Sequence, residues 1–246
     1  MKRVLIIGAT SAIACATARK WATKHSEFFL VARDQKKLQL VSADLQSRGA
    51  GKVTLHVMDA TDIDAHAPML EASLAALGQI DVVLIAHGTL PDQRACEENT
   101  QTALKEFANN GTSVIALLTV IANHMAIQRW GTLAVISSVA GDRGRPSNYL
   151  YGAAKAAVTT FCEGLRARLF KVGVHVITIK PGFVATPMTQ GLKLPKALVV
   201  NADTVATIIV EHIDKKTNVL YVPRFWLLIM TIIRCLPQFI FKKINL

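Results

Sequence analysis

Carboxylates are scarce in this chain: 17 Asp and Glu stand against 28 Lys and Arg, for a formal charge of +11. That imbalance favours phosphate groups, nucleic acid or anionic lipid as partners, or else marks a basic surface with no partner. Cysteine is also sparse. Cys15, Cys96, Cys162 and Cys235 form no C-x-x-C pair and no Cys/His spacing, so no metal site is expected. They read as buried reduced thiols, which suits a cytosolic compartment. No leader pattern opens the chain, because Met1-Lys2-Arg3 runs straight into Val4-Leu5-Ile6-Ile7. Internal repeats, low-complexity tracts and a linker before residue 216 are all lacking. The basic charge is dispersed and no nucleic-acid reader motif is present, so no nucleic-acid partner is expected. Disorder is excluded, because 51% of the 246 residues are apolar.

What is present alternates. Apolar runs at 4–7, 28–31, 53–57, 82–86, 133–136, 174–179 and 219–222 predict seven strands buried on both faces. Helical patterns at 12–23, 35–47, 68–77, 110–126, 150–171 and 203–215 lie between them. This predicts an α/β fold: a Rossmann-type, doubly wound sheet of about seven mainly parallel strands with helices on both faces. Residues 1–222 form one domain in this reading, and 223–246 an apolar, basic extension. Ligands in such sheets bind beyond the carboxyl ends of the strands, so the chemistry is sought there.

The turn after the first strand is short of glycine. Gly8-Ala9-Thr10-Ser11-Ala12-Ile13-Ala14 keeps only Gly8 of a Gly-x-x-x-Gly-x-Gly pattern. Such a turn brings backbone to a pyrophosphate at a helix N-terminus, and Thr10 and Ser11 add hydroxyls. Ala12 and Ala14 add methyl groups that narrow the space. A plain strand-to-helix turn is the competing reading. The second strand lacks a terminal acid. Ala32 stands where NAD sites place a carboxylate, and Arg33 follows, which suits a 2′-phosphate and favours NADP(H) over NAD(H). Asp59, after the third strand, is a candidate for an adenine amino group or for a helix N-cap, with Asp62 as the other candidate cap. Ala86-His87-Gly88 lets backbone pass close to a cofactor, and His87 reads as structural.

The densest signal is Ser137-Ser138-Val139-Ala140-Gly141 followed by Tyr151-Gly152-Ala153-Ala154-Lys155. Tyr151 and Lys155 are four apart and share one helix face. A nearby ammonium lowers a phenol's pKa, so the pair can act as general acid and base. Ser138 closes a strand and can hold a substrate oxygen beside Tyr151.

Together these motifs resemble the short-chain dehydrogenase/reductase family over about residues 3–222. The resemblance implies that Tyr151 is the acid/base and Ser138 the carbonyl clamp. It implies that Lys155 lowers the Tyr151 pKa and bonds the nicotinamide ribose. It implies that an asparagine, Asn110 or its neighbour Asn109, holds a relay water. Pro181-Gly182-Phe183-Val184-Ala185-Thr186 matches the family's Pro-Gly-x-x-x-Thr segment at the nicotinamide amide. Ile13, Ala86, Gly88 and Val184 join the implied cofactor contacts. A homo-oligomer is implied as well. The run 137–149 and the tail are similar to the branch containing decaprenylphosphoryl-2-keto-ribose reductases, which act on a keto sugar carried by a polyprenyl phosphate. Arg143 and Arg145 then face either an anionic substrate or solvent.

The tail lacks the length to span a bilayer: nine residues, 225–233, precede Arg234. Its Trp, Phe and Leu with Arg224, Arg234, Lys242 and Lys243 suit a helix lying in a membrane interface. A cleft cover or a subunit contact is the other reading. The expected function is reduction of a small or lipid-linked ketone, or the reverse oxidation, in the cytoplasm or at the inner face of the cell membrane. A dinucleotide-binding protein without turnover is the alternative from another class.

Overall fold

The computed structural model describes residues 1–243, so the last three residues of the 223–246 extension lie outside it. The chain begins β1 (Arg3–Ile7), α1 (Ala12–Ala22), β2 (Glu27–Ala32), α2 (Gln35–Ser47), β3 (Val53–Val57), α3 (His66–Leu77) and β4 (Val82–Ile85). It continues α4 (Gln93–Glu98), α5 (Thr100–Phe107), α6 (Ser113–Gln128), β5 (Thr132–Ile136), α7 (Tyr149–Phe170) and β6 (His175–Pro181). It ends β7 (Phe183–Ala185), β8 (Val199–Asn201), α8 (Ala202–Asp214), β9 (Val219–Val222), α9 (Phe225–Cys235) and α10 (Gln238–Phe241). Seven strands form one parallel sheet in the order β3-β2-β1-β4-β5-β6-β9. The expected fold class is the observed one.

The period-two geometry of the strands explains why their sequences read as unbroken apolar runs. Leu5, Ile7, Phe29, Val31, Val83 and Ile85 face one layer, where they meet Leu117, Ile121 and Val158 of α6 and α7. Val4, Ile6, Phe28, Leu30, Val82 and Leu84 face the other, against Ala14, Ala18, Val205 and Ile209 of α1 and α8. Strand order reverses between β1 and β4, which opens a crevice at their carboxyl ends.

Four expectations are corrected. The helix expected at 110–126 is the second part of a longer helical run. α5 passes through a π turn, Ala108–Thr112, into α6. Asn109-Asn110-Gly111 reads as a break by propensity, yet tertiary packing carries the helix through it. The run Thr100–Gln128 is long and apolar enough to cross a membrane by composition, but half of its apolar window is buried in the core. Neither Asp59 nor Asp62 caps α3, whose N-cap is Ala65 without a side-chain bond. The segment 183–200, where no strand or helix is expected, contains the parallel pair β7–β8. Cysteine burial is uneven: all four thiols are free, Cys96 and Cys162 are buried, Cys15 is half-buried and Cys235 is exposed.

The tail folds back onto the domain. Trp226 and Met230 of α9 pack with Val139 and Tyr221, and Phe241 of α10 is also buried. Each such side chain contributes about 1.5–3 kcal/mol of burial. The outer face keeps Leu227, Leu228, Ile232 and Phe239 in solvent.

Candidate active site

The site begins at Gly8, whose φ of +80° is one that L side chains rarely adopt. A Cβ there would collide with the backbone of Ala86 and His87. Glycine is therefore required for β1 and β4 to end side by side. Ser11 caps α1, and its Oγ accepts from the Ala14 amide at 3.3 Å. Its hydroxyl proton remains free for a ligand. The two alanine substitutions differ in consequence. Ala14 is fully buried in the core beneath the turn, and only Ala12 lines the cavity.

Arg33 and Asp59 meet across the far end of this cavity, at 3.7 Å. Both are substantially exposed, so the pair is weak and open to exchange for a ligand. Asp59 also accepts from Thr61 N (2.9 Å) and Thr61 Oγ1 (2.8 Å). Those bonds, the backbone one above all, hold its carboxyl below the usual range.

At the other end, β5 delivers Ser137 and Ser138 onto α7. Ser137 is buried; its Oγ donates to the Lys155 carbonyl (3.1 Å) and bonds Thr159 Oγ1 (2.8 Å). Gly141 lies so close to α7 that a Cβ would stand 2.8 Å from Ala156 N. These contacts seat the turn Val139–Asp142 against the helix face that carries Tyr151 and Lys155. Ser138 Oγ accepts from Ala140 N at 3.1 Å, and the Ser138 hydroxyl hydrogen-bonds Tyr151.

Burial pushes the Tyr151 phenol up to about 12, and the bond from Ser138 opposes this. Burial also pulls Lys155 down to about 8. Burial and Ser138, rather than Lys155, set the direction of the Tyr151 shift in this geometry. Lys155 Nζ is 5.7 Å from the ring centre and donates to Ile136 O at 3.3 Å. Tyr151 is accordingly a protonated donor at neutral pH. His87 is neutral, held at about 3 by burial. Ser113 Oγ donates to Asn109 O, so His87 Nε2 donates to Ser113 Oγ (2.9 Å), a structural bond.

Gly8, Thr10, Ser11, Ile13, Arg33, Asp59, Ala86, Gly88, Ser138, Tyr151, Lys155, Pro181, Gly182, Val184 and Thr186 all line one cavity of about 1500 Å³. That exceeds the roughly 300–1,000 Å³ of an ordinary small-ligand cleft and leaves room for a dinucleotide and a second molecule. Asn110 is the exception. It is buried behind Gly88 with Oδ1 on Thr89 N (2.9 Å) and Nδ2 on Thr89 Oγ1 (3.1 Å) and Glu106 O (3.0 Å). Its neighbour Asn109 lines the cavity instead.

Other parts of the site escaped sequence reasoning. Lys180 Nζ bonds Asp142 Oδ1 (2.6 Å) and Tyr221 OH bonds Asp142 Oδ2 (2.7 Å), a buried network under the Ser138 turn. A lysine ending an otherwise apolar strand was the available signal. Arg143 is half-buried and does not line the cavity. Its Nη1 donates to the carbonyls of Ile233 and Leu236 (2.7 Å for the latter), Nη2 reaches Gln238 Oε1 (3.1 Å), and its guanidinium lies 3.8 Å over the Phe241 ring. It thus ties the Ser138 turn to the tail, whose Trp226, Ile229 and Ile233 form a cavity wall. Arg145 is buried, also on the cavity wall.

Comparison with known proteins agrees with this geometry. The family model described as short chain dehydrogenase matches residues 2–197. The chain belongs to the short-chain dehydrogenase family. An oxidoreductase of Mycobacterium tuberculosis, described as uncharacterized, is 34% identical over 98% of this chain and 96% of its own length. The 3-oxoacyl-[acyl-carrier-protein] reductase of Haemophilus influenzae is 30% identical over 78% of this chain and 77% of its own. Levodione reductase shares the fold with a TM-score of 0.79, at 21% identity over 90% of this chain and 95% of its own. A polyketide ketoreductase crystallised with NADPH has a TM-score of 0.80, at 21% identity and the same coverage. This short-chain dehydrogenase is therefore an oxidoreductase of the carbonyl-reducing type that uses a nicotinamide dinucleotide. The Gly8 turn, the free Ser11 hydroxyl and the exchangeable Arg33–Asp59 pair fit such a cofactor.

Proposed function

We propose that this short-chain dehydrogenase is an NADPH-dependent reductase of a bulky apolar ketone. The observation that carries this reading is one cavity with a protonated Tyr151 beside Ser138 at its floor and Trp226, Ile229 and Ile233 as its wall. Arg33 beside a neutral Ala32 supports NADPH, with NADH as a weaker donor. When bound, the dinucleotide supplies a hydride to the carbonyl carbon. Ser138 donates a hydrogen bond to the carbonyl oxygen. Tyr151 gives that oxygen its phenolic proton, a downhill transfer to an alkoxide even from a phenol at about 12. Lys155, charged below about pH 8, would hold the ribose next to the nicotinamide, and its positive charge stabilises the phenolate left on Tyr151. Gly8, Thr10, Ser11, Ile13 and Asp59 hold the adenosine half, and Ala86, Gly88, Pro181, Gly182, Val184 and Thr186 the nicotinamide half. Asn110 positions the Gly88–Thr89 backbone, which leaves a relay water to Asn109.

The outward apolar face of α9 and α10, with Arg224, Arg234, Lys242 and Lys243, supports contact with an anionic membrane surface, while a homo-oligomer and the cytoplasmic side are proposed on the family resemblance alone. A keto sugar on a polyprenyl phosphate is the narrower substrate reading, although the relatives named above do not carry that branch's name.

An NADPH-consumption screen over apolar ketones, with polyprenyl-phosphate keto sugars included, tests the proposal. Turnover is expected, and Tyr151→Phe should lower it at least about a hundredfold while NADPH still binds. Full turnover by that variant would remove Tyr151 as the acid. Tight NADPH binding with no turnover of any ketone would replace a reductase with a binding protein.

A further inference from the structure

Arg145 is 8% exposed, yet its Nε reaches no hydrogen-bond partner. Among the described residues it enters no ion pair. The carboxylate acting on it, Asp142, has one oxygen on Lys180 and the other on Tyr221. A buried guanidinium with an unmet donor is costly to the fold, and such a cost persists where a ligand offsets it. Three residues on, Asn148 Oδ1 is likewise buried without a partner. Arg145 and Asn148 both line the cavity that holds Ser138 and Tyr151. Asn148 is also the N-cap residue of α7, a helix of 22 residues; its own side chain caps nothing, and Gln93 Oε1 accepts from one first-turn amide, Leu150 N, at 3.1 Å. The positive end of that helix adds to the Arg145 charge.

We infer that Arg145, Asn148 and the α7 N-terminus form a subsite for an anionic group on the substrate, distinct from the Arg33 end of the cavity. The inference rests on the reductase reading for the identity of the molecule that carries the anion. A phosphate ester and a carboxylate share the required chemistry. The Asn148 acceptor suits a hydroxyl on the same molecule. Arg143, which the sequence pairs with Arg145, has no part in this subsite because its donors are engaged by the tail.

Binding, rather than turnover, is the direct test. The full chain is saturated with NADP⁺ to fill the cofactor's own phosphate sites. It is then titrated calorimetrically with butyl phosphate, hexanoate and neutral butanol. At least one anion should bind more tightly than butanol, and the stronger of the two identifies phosphate or carboxylate as the natural group. Arg145→Met should weaken that anion at least about tenfold, the range of one charge-assisted hydrogen bond, and leave butanol unchanged. Arg145→Lys should fall between. Asn148→Asp, which places a like charge in the subsite, should weaken the anion as strongly, and it serves if the Met variant does not fold. Equal anion affinity in the folded wild type and variants would overturn the subsite. So would a matching loss of NADP⁺ affinity in Arg145→Met, which would give Arg145 to the cofactor. Because no step of the titration needs catalysis, a chain that reduces no ketone still reports on the subsite.

Discussion

The indole edge of Trp226 occupies the place where a side chain on Gly182 would begin. The same indole meets Phe183 edge-on, with ring centroids 5.0 Å apart. The tail is thereby fitted against the Pro181–Thr186 segment. Gly182→Ala should destabilise the fold by about 1–3 kcal/mol, the usual cost of overpacking, and lower the melting temperature. An unchanged melting curve would mean that the tail does not hold this position in solution.

Lys155 yields a pH prediction with a definite sign. Burial lowers its pKa to about 8, so it is charged below that pH and neutral above. A bond from the charged amine to the nicotinamide ribose raises the pKa in the complex. NADPH affinity should therefore be flat below about pH 8 and weaken above it, by up to about tenfold per unit. Adenosine 2′,5′-bisphosphate, which lacks that ribose, should show no such limb. Lys155→Met should remove the limb for NADPH.

Among the described residues Arg33 pairs with Asp59, at 3.7 Å and in solvent, so it can turn to a 2′-phosphate at little cost. Arg33→Ala should weaken NADPH by about tenfold or more and NADH by far less, as read by fluorescence titration. Equal losses for both would assign the preference elsewhere.

Deleting residues 224–246 would expose the core surface beneath Trp226 and Met230, so truncation is a poor test of membrane contact. Leu228→Glu with Ile232→Glu changes only exposed positions. That double variant should fold, keep NADPH binding and lose co-sedimentation with anionic liposomes at low salt. Basic residues near such a surface contribute about 1 kcal/mol each, a term that salt weakens. Wild-type protein that fails to sediment at low salt would end the membrane reading and leave the reductase intact.

The sheet was legible because its strands are buried on both faces and punctuated by turns. All seven expected strands are found, and the order places their carboxyl ends around one cavity. Ser138, Tyr151 and Lys155 were legible from spacing along a strand end and one helix face. Long-range partners were not. Arg143 and Leu236 are 93 positions apart, and nothing local to Arg143 announces a row of helix-end carbonyls. The π turn was illegible for a related reason: Asn109-Asn110-Gly111 has poor helix propensity, and only burial against α7 holds it helical.

Arg143 stands five residues after Ser138, and its grip on the carbonyls of Ile233 and Leu236 holds the last turn of α9, whose Ile233 lines the cavity, beside the Ser138 turn. The start of the chain enters β1 at the amino edge of a parallel sheet, across the molecule from that cavity. The two termini are therefore not equivalent handles. An affinity tag or fluorescent fusion on the carboxyl side would load the segment that supplies Trp226, Ile229 and Ile233 to the cavity wall, and a slow preparation made that way would misreport the enzyme. A tag placed ahead of Met1 leaves that wall clear, so immobilisation, labelling and crystallisation trials belong on that side.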